Sequence, residues 1–186
     1  MTLAEYKQLF DKILDGSYTP APYDTPTFQN YVKLNRSRMK RWTKRAKIGQ
    51  ELENLLQKIT TPQHWIIITE PWCGDAANLT PYFEKMAAIN PLIEVTVQLR
   101  DSDSEIDQYL TNGGKSIPIA VARDQEGNDL FVWGPRPAPA QALVLSQKSS
   151  PAPKDEKYAV VLQWYKEDEG KTLQAEISAL LTKALA

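Results

Sequence analysis

Cys73 is the only cysteine among 186 residues, and it lies within the run Trp65–Pro81, WIIITEPWCGDAANLTP. An apolar run rich in β-branched residues breaks at Glu70-Pro71, and Trp72-Cys73-Gly74-Asp75 then leads into a segment with helical character. A thiol at such a strand-to-helix junction faces unpaired N–H groups and the positive end of the helix, which favour thiolate. Asp75 acts the other way, because its charge two residues away disfavours a second anion. Glu70-Pro71 and Gly74-Asp75 are polar or turn-forming, so the loop is expected near solvent, with Cys73 reachable and modestly activated at most. The alternative is an inert cysteine packed as a small hydrophobe.

Other chemistries are restricted. One cysteine excludes an intramolecular disulfide and any multi-cysteine metal site, and neither a metal nor a cofactor is expected. His64 is the only histidine. A five-residue strand separates it from the Glu70 turn and spans roughly 16 Å at about 3.3 Å per residue. His64 therefore belongs at the far end of the sheet, away from Cys73, and cysteine-protease-like catalysis is not expected.

The elements that must position Cys73 alternate between helix and strand. Leu3, Tyr6, Leu9/Phe10 and Ile13/Leu14 recur at helical spacing over residues 3–14, and Gly16 stops that helix. A second helical pattern runs from Phe28 to Ile59 along the seam Met39, Trp42, Ala46, Leu52, Leu56 and Ile59. Its first half carries Lys33, Arg36, Arg38, Lys40, Arg41, Lys44, Arg45 and Lys47 with no acid among them. A solvated face paired with acidic neighbours is the plain reading; an anion or partner site near Cys73 is the sharper one, and nucleic acid ranks last.

Trp65–Thr69 and Ile93–Leu99 read as buried strands, separated by a helix that contains Pro81 and ends at Asn90-Pro91. A short helix at Ile106–Leu110 follows. Next comes a hairpin of Ile117–Ala122 and Asp129–Trp133, stopped by Gly134-Pro135. Residues 139–148 form a short helix and 149–154 a linker; from Asp155 a helical pattern runs to Leu185, divided near Gly170.

This order, with these residues in it, resembles the thioredoxin family. Trp72 stands before the cysteine and Gly74 after it. Pro81 lies eight positions beyond, Pro118 opens the strand facing the site, and Gly134 follows the last strand. The resemblance covers about residues 62–145. It implies an α/β thioredoxin-like fold, a central mixed β-sheet flanked by helices, with helical N- and C-terminal extensions (1–61 and 149–186) around a core at 62–148. It also implies a cis Ile117–Pro118 bond and a peptide groove bordered by Trp72, Gly74, Asp75, Ile117, Pro118 and Gly134. Trp133 and Arg136 are further candidates, each with a plainer reading as core residue and surface charge.

The departures matter equally. The family's second cysteine falls at Ala76, its buried acid at Ile67, and the lysine paired with that acid near Gln98. A dithiol mechanism needs a resolving thiolate, so the chain is not expected to act as a dithiol reductase. Two expectations follow from the resemblance. One is a monothiol thiol-disulfide oxidoreductase, in which Cys73 is resolved by an external thiol and the partners are proteins or small thiols and disulfides. The other is a redox-inactive binding module.

The bulk composition excludes little else. A formal net charge of −1 gives no global case for nucleic acid or membrane binding. No apolar stretch approaches the roughly 20 residues of a membrane span. The N-terminus lacks the apolar region of a signal peptide, so a cytoplasmic location is expected.

Overall fold

The computed structural model describes residues 1–186, apart from the side chains of residues 154 and 155. Three helices precede the sheet. Helix α1 (Leu3–Leu14) starts in a capping box in which Thr2 and Glu5 satisfy each other's backbone N–H groups. Helix α2 (Pro26–Arg45) starts with Thr25 as cap and Pro26 in its first turn, and α3 (Gln50–Gln57) follows. The single helix expected over Phe28–Ile59 is therefore two. Ala46 leaves the helical conformation at ψ 132° and Gly49 caps the next helix. The apolar seam runs across the break because both helices rest on the same core.

Strands β1 (Gln63–Thr69), β2 (Ile93–Leu99), β3 (Ile119–Arg123) and β4 (Asp129–Trp133) form one mixed sheet in the order β2-β1-β3-β4. β1 runs parallel to β2 and antiparallel to β3, and β3 pairs antiparallel with β4. Helix α4 (Gly74–Ile89) crosses over from β1 to β2 and carries Pro81 within it. Thr2 bridges Thr96, so the start of the chain covers part of the open edge of β2.

The uninterrupted apolar run of β1 reflects burial on both faces. Trp65 and Ile67 point into the larger core with Phe83, Phe131 and Trp133. Ile66 and Ile68 point the other way, into a smaller cluster with Cys73, Ala76, Ile117, Ile119 and Val121. The segment 100–118 supplies Ile106 and Tyr109 to that second cluster.

The helix expected at 106–110 is a single 3-10 turn, Ile106–Gln108. Ser104 donates its hydroxyl to the Arg100 carbonyl, and the Glu105 carboxylate is taken by Gln98 and Arg123, so neither side chain caps a longer helix.

Three helices complete the chain: α5 (Ala138–Ser146), α6 (Lys154–Asp168) and α7 (Lys171–Ala184), the last two divided at Glu169-Gly170. Among the described residues no helix is long and apolar enough to cross a membrane.

Candidate functional site

Cys73 is the N-cap of α4. Its backbone is extended, and its Sγ accepts the Ala76 N–H at 3.5 Å. The thiol in turn donates to the Ile117 carbonyl at 3.5 Å. The turn before it closes through the Cys73 N–H and the Glu70 carbonyl at 2.9 Å. One N–H of a helix start therefore does reach the sulfur, as the junction predicts.

The expectation of a solvent-reachable thiol is overturned. Cys73 is 5 % exposed, and the two acids read as marks of a wet loop, Glu70 and Asp75, are each 3 % exposed. Burial pushes the Cys73 thiol up to about 12, and the charge of Asp75 adds to the rise. The Ala76 N–H and the Arg136 guanidinium oppose these effects and lose. The helix terminus contributes one bond at sulfur length, whereas desolvation acts on the whole anion. The expected modest activation is absent.

Each buried acid is held by long-range partners. Asp75 Oδ2 accepts Nε and Nη2 of Arg136 at 2.9 and 2.7 Å, and its Oδ1 accepts the Tyr165 hydroxyl at 2.9 Å. Arg136 also donates Nη1 to Gln141 at 3.0 Å. Burial still raises the Asp75 carboxyl above its ordinary range, against the pull of Arg136. Glu70 accepts the Tyr23 hydroxyl at 2.5 Å and the Asp101 N–H at 2.9 Å, and burial raises its carboxyl too.

Tyr23→Phe removes one charge-assisted bond and leaves a buried oxygen short of a donor. We expect a loss of about 1.5–3 kcal/mol of stability, read as a lower urea midpoint at unchanged slope.

Helix α2 braces the same turn from its inner face. Asn35 donates to the Pro71 carbonyl at 2.9 Å, and Arg38 donates to Asn35 at 2.6 Å. Trp42 donates to Asn78, which donates to the Gly74 carbonyl at 2.7 Å. The basic residues thus divide. Arg36 pairs with Asp11, Arg45 lies 3.7 Å from Glu169, and Lys33, Lys40, Arg41 and Lys44 are exposed.

The remaining sequence candidates lie where the frame requires, with different exposures. Trp72 is half-buried, with the Arg100 guanidinium 4.7 Å above its ring and Phe28 edge-on. The Ile117–Pro118 bond is cis, and both residues are buried. Gly134 is exposed at φ 132°, a conformation that only glycine adopts readily. A Cβ there would lie 2.3 Å from the Pro118 carbonyl oxygen. Trp133 is core, and its Nε1 donates to Glu176 at 2.7 Å. Arg136 is the partner of Asp75 rather than a free surface charge. His64 bonds Thr96 at 2.7 Å, near the start of β1 and away from the Cys73 turn.

Ala76 and Ile67 are fully buried apolar residues, and Gln98 is bonded to Glu105. No second sulfur and no free acid stand in their places. Among the described residues no three of His, Cys, Asp and Glu converge as a metal site would require.

Two residues escaped the sequence reading. Tyr158 lies against Gly74, where a Cβ would sit 2.3 Å from its hydroxyl oxygen, and Tyr165 bonds Asp75. Their seven-residue spacing on one helix was the only signal available.

No curated protein matches this chain. Two solved structures share the fold: an HIV epitope-scaffold at 18% identity, covering 98% of each chain with a TM-score of 0.55, and a protein of unknown function from Pseudomonas aeruginosa at 17% identity, covering 98% of each chain with a TM-score of 0.54. A family profile described as Thioredoxin matches residues 22–157, well over half the sequence. With the mixed sheet, the Cys73 helix start and the Pro118–Gly134 contact, that match makes the chain a member of the thioredoxin family.

Proposed function

We propose that this protein is a redox-silent thioredoxin-fold module that recognises another protein chain and does not exchange disulfides in its resting form. One observation carries the reading: the only thiol is 5 % exposed, bonded to the Ile117 carbonyl and pushed up to about 12. At pH 7 such a group holds almost no thiolate, and thiolate is the species that attacks a disulfide. The parts of the frame that reach the surface, Trp72 beneath Arg100 and Gly134 beside Pro118, suit contact with an extended segment of a partner. A lone reduced thiol also fits a cytoplasmic location.

A second reading keeps the sulfur in play, and the Ala76 N–H bonded to Sγ favours it. In that reading the Cys73 thiolate attacks a disulfide, forms a mixed disulfide and expels one thiolate. A second, external thiolate then attacks the mixed bond and releases Cys73.

Exposure to glutathione disulfide at pH 7.5 separates the two. The redox-silent reading predicts no adduct on the native protein in the time that fully modifies the chain in urea. It also predicts that wild type and Cys73→Ser leave the reduction of a disulfide-bonded peptide by dithiothreitol equally unaccelerated. Adduct formation at the unfolded rate, or acceleration that depends on Cys73, contradicts it.

A further inference from the structure

Helix α6 is held more lightly than α7, the helix that follows it. Behind it the chain turns through Glu169 and Gly170 at φ 52° and 73°. Gly170 is pressed so closely on α4 that a Cβ would lie 2.3 Å from the Tyr82 ring. Beyond that turn α7 is anchored by buried Leu173, Ile177 and Leu181. Ahead of α6 lies residues 147–153, QKSSPAP, a largely exposed polar and proline-containing connection. Between these ends, the described part of α6 buries only Val161 and Tyr165 fully, and Val160 is exposed. Val160 and Trp164 line an open groove with Leu143 of α5.

This lightly held helix covers the centre of the site. Tyr158 and Tyr165 are seven residues apart and so share one face of α6. Tyr158 fills the space over Gly74, and Tyr165 donates to the Asp75 carboxylate. Gly74 is the residue whose missing side chain lets Tyr158 descend.

We propose that α6 is a displaceable lid over Gly74 and Asp75 at the start of α4, moving between the Glu169–Gly170 hinge and the connection at 147–153. The proposal goes beyond the redox-silent reading, which concerns the closed form alone. Opening frees the Asp75–Arg136 pair and Gly74 together, while the sulfur stays packed in the second cluster with Ile66, Ile117 and Ile119.

Hydrogen exchange of the full-length protein tests the lid. The amides of residues 156–168 are expected to exchange at least 100-fold faster than those of β1 and α4, reporting local opening. Gly74→Ala places a methyl where the Tyr158 hydroxyl sits. It is expected to speed exchange of the α6 amides at least tenfold, with β1 and α4 protection retained. Tyr158→Ala removes the cover without adding an atom and is expected to act in the same direction; it decides the matter if Gly74→Ala loses sheet protection. Amides of α6 protected as well as those of α4, or unchanged α6 exchange in the deciding variant, overturn the lid. Rapid alkylation of wild type at the rate of an unfolded chain would instead sink the redox-silent reading, while exchange of α6 still judges the lid.

Discussion

Arg136→Leu is expected to destabilise the protein by about 3–5 kcal/mol, the cost of leaving one member of a buried ion pair without its partner. Asp75 has a side chain only 4 % exposed and Arg136 one 18 % exposed, so solvent replaces little of what is lost. The Tyr165 hydroxyl satisfies one carboxylate oxygen, and the other loses two N–H donors at 2.9 and 2.7 Å. The defect should shrink in acid. Burial already raises the Asp75 carboxyl, and removing Arg136 raises it further. Asp75 is then neutral in the variant at pH values where wild type keeps the charge. Its penalty is absent below the unfolded carboxyl value of about 3.9 and grows as pH rises through the folded value. Asp75→Asn combined with Arg136→Leu should be less damaging than the sum of the two single changes, because no charge is stranded. Urea denaturation of the four proteins at pH 4.5 and 7.5 reads all three statements. An Arg136→Leu loss below 1 kcal/mol would mean that water reaches the pair.

The Cys73 thiol should leave its own mark on alkaline stability. Its folded value of about 12 lies above the roughly 8.5 of an unfolded cysteine, so the folded state binds the proton more tightly. The stability this supplies is fully present below pH 8.5 and is lost as pH rises toward 12. Relative to Cys73→Ala, wild type should lose about 1.4 kcal/mol for each pH unit above 9. The comparison cancels the titration of the tyrosines, which both proteins share. A parallel pH course for the two would mean that the sulfur is not desolvated.

Much of the frame was legible from residue order, because strand β1 and helix α4 announce themselves by local pattern. Ile66, Ile67 and Ile68 form a run too apolar for a strand with a wet face, and the sheet buries both sides of it. Gly134 follows the last strand as the resemblance implies, and the contact with Pro118 supplies the physical need for glycine.

The site's surroundings were not legible, and the reason is sequence distance. Glu70 and Asp75 read as solvent markers because no local residue could pair with them. Their partners stand 47, 61 and 90 positions away, at Tyr23, Arg136 and Tyr165. The same holds for Tyr158 over Gly74. The break at Ala46–Gly49 was hidden for a different reason: two helices lying on one core preserve a single apolar seam through the turn between them.

Modification of Cys73 by iodoacetamide across pH 6–11, in native protein and in urea, tests the central claim most directly. A thiol at about 12 carries roughly 10³-fold less thiolate at pH 8 than one at 8.5. The native rate should therefore be at least about 10³-fold below the unfolded rate at pH 8 and rise tenfold per pH unit without a plateau up to pH 11. A native rate that levels off below pH 8, at a value near that of the unfolded chain, would mark an exposed and activated thiol and contradict the account.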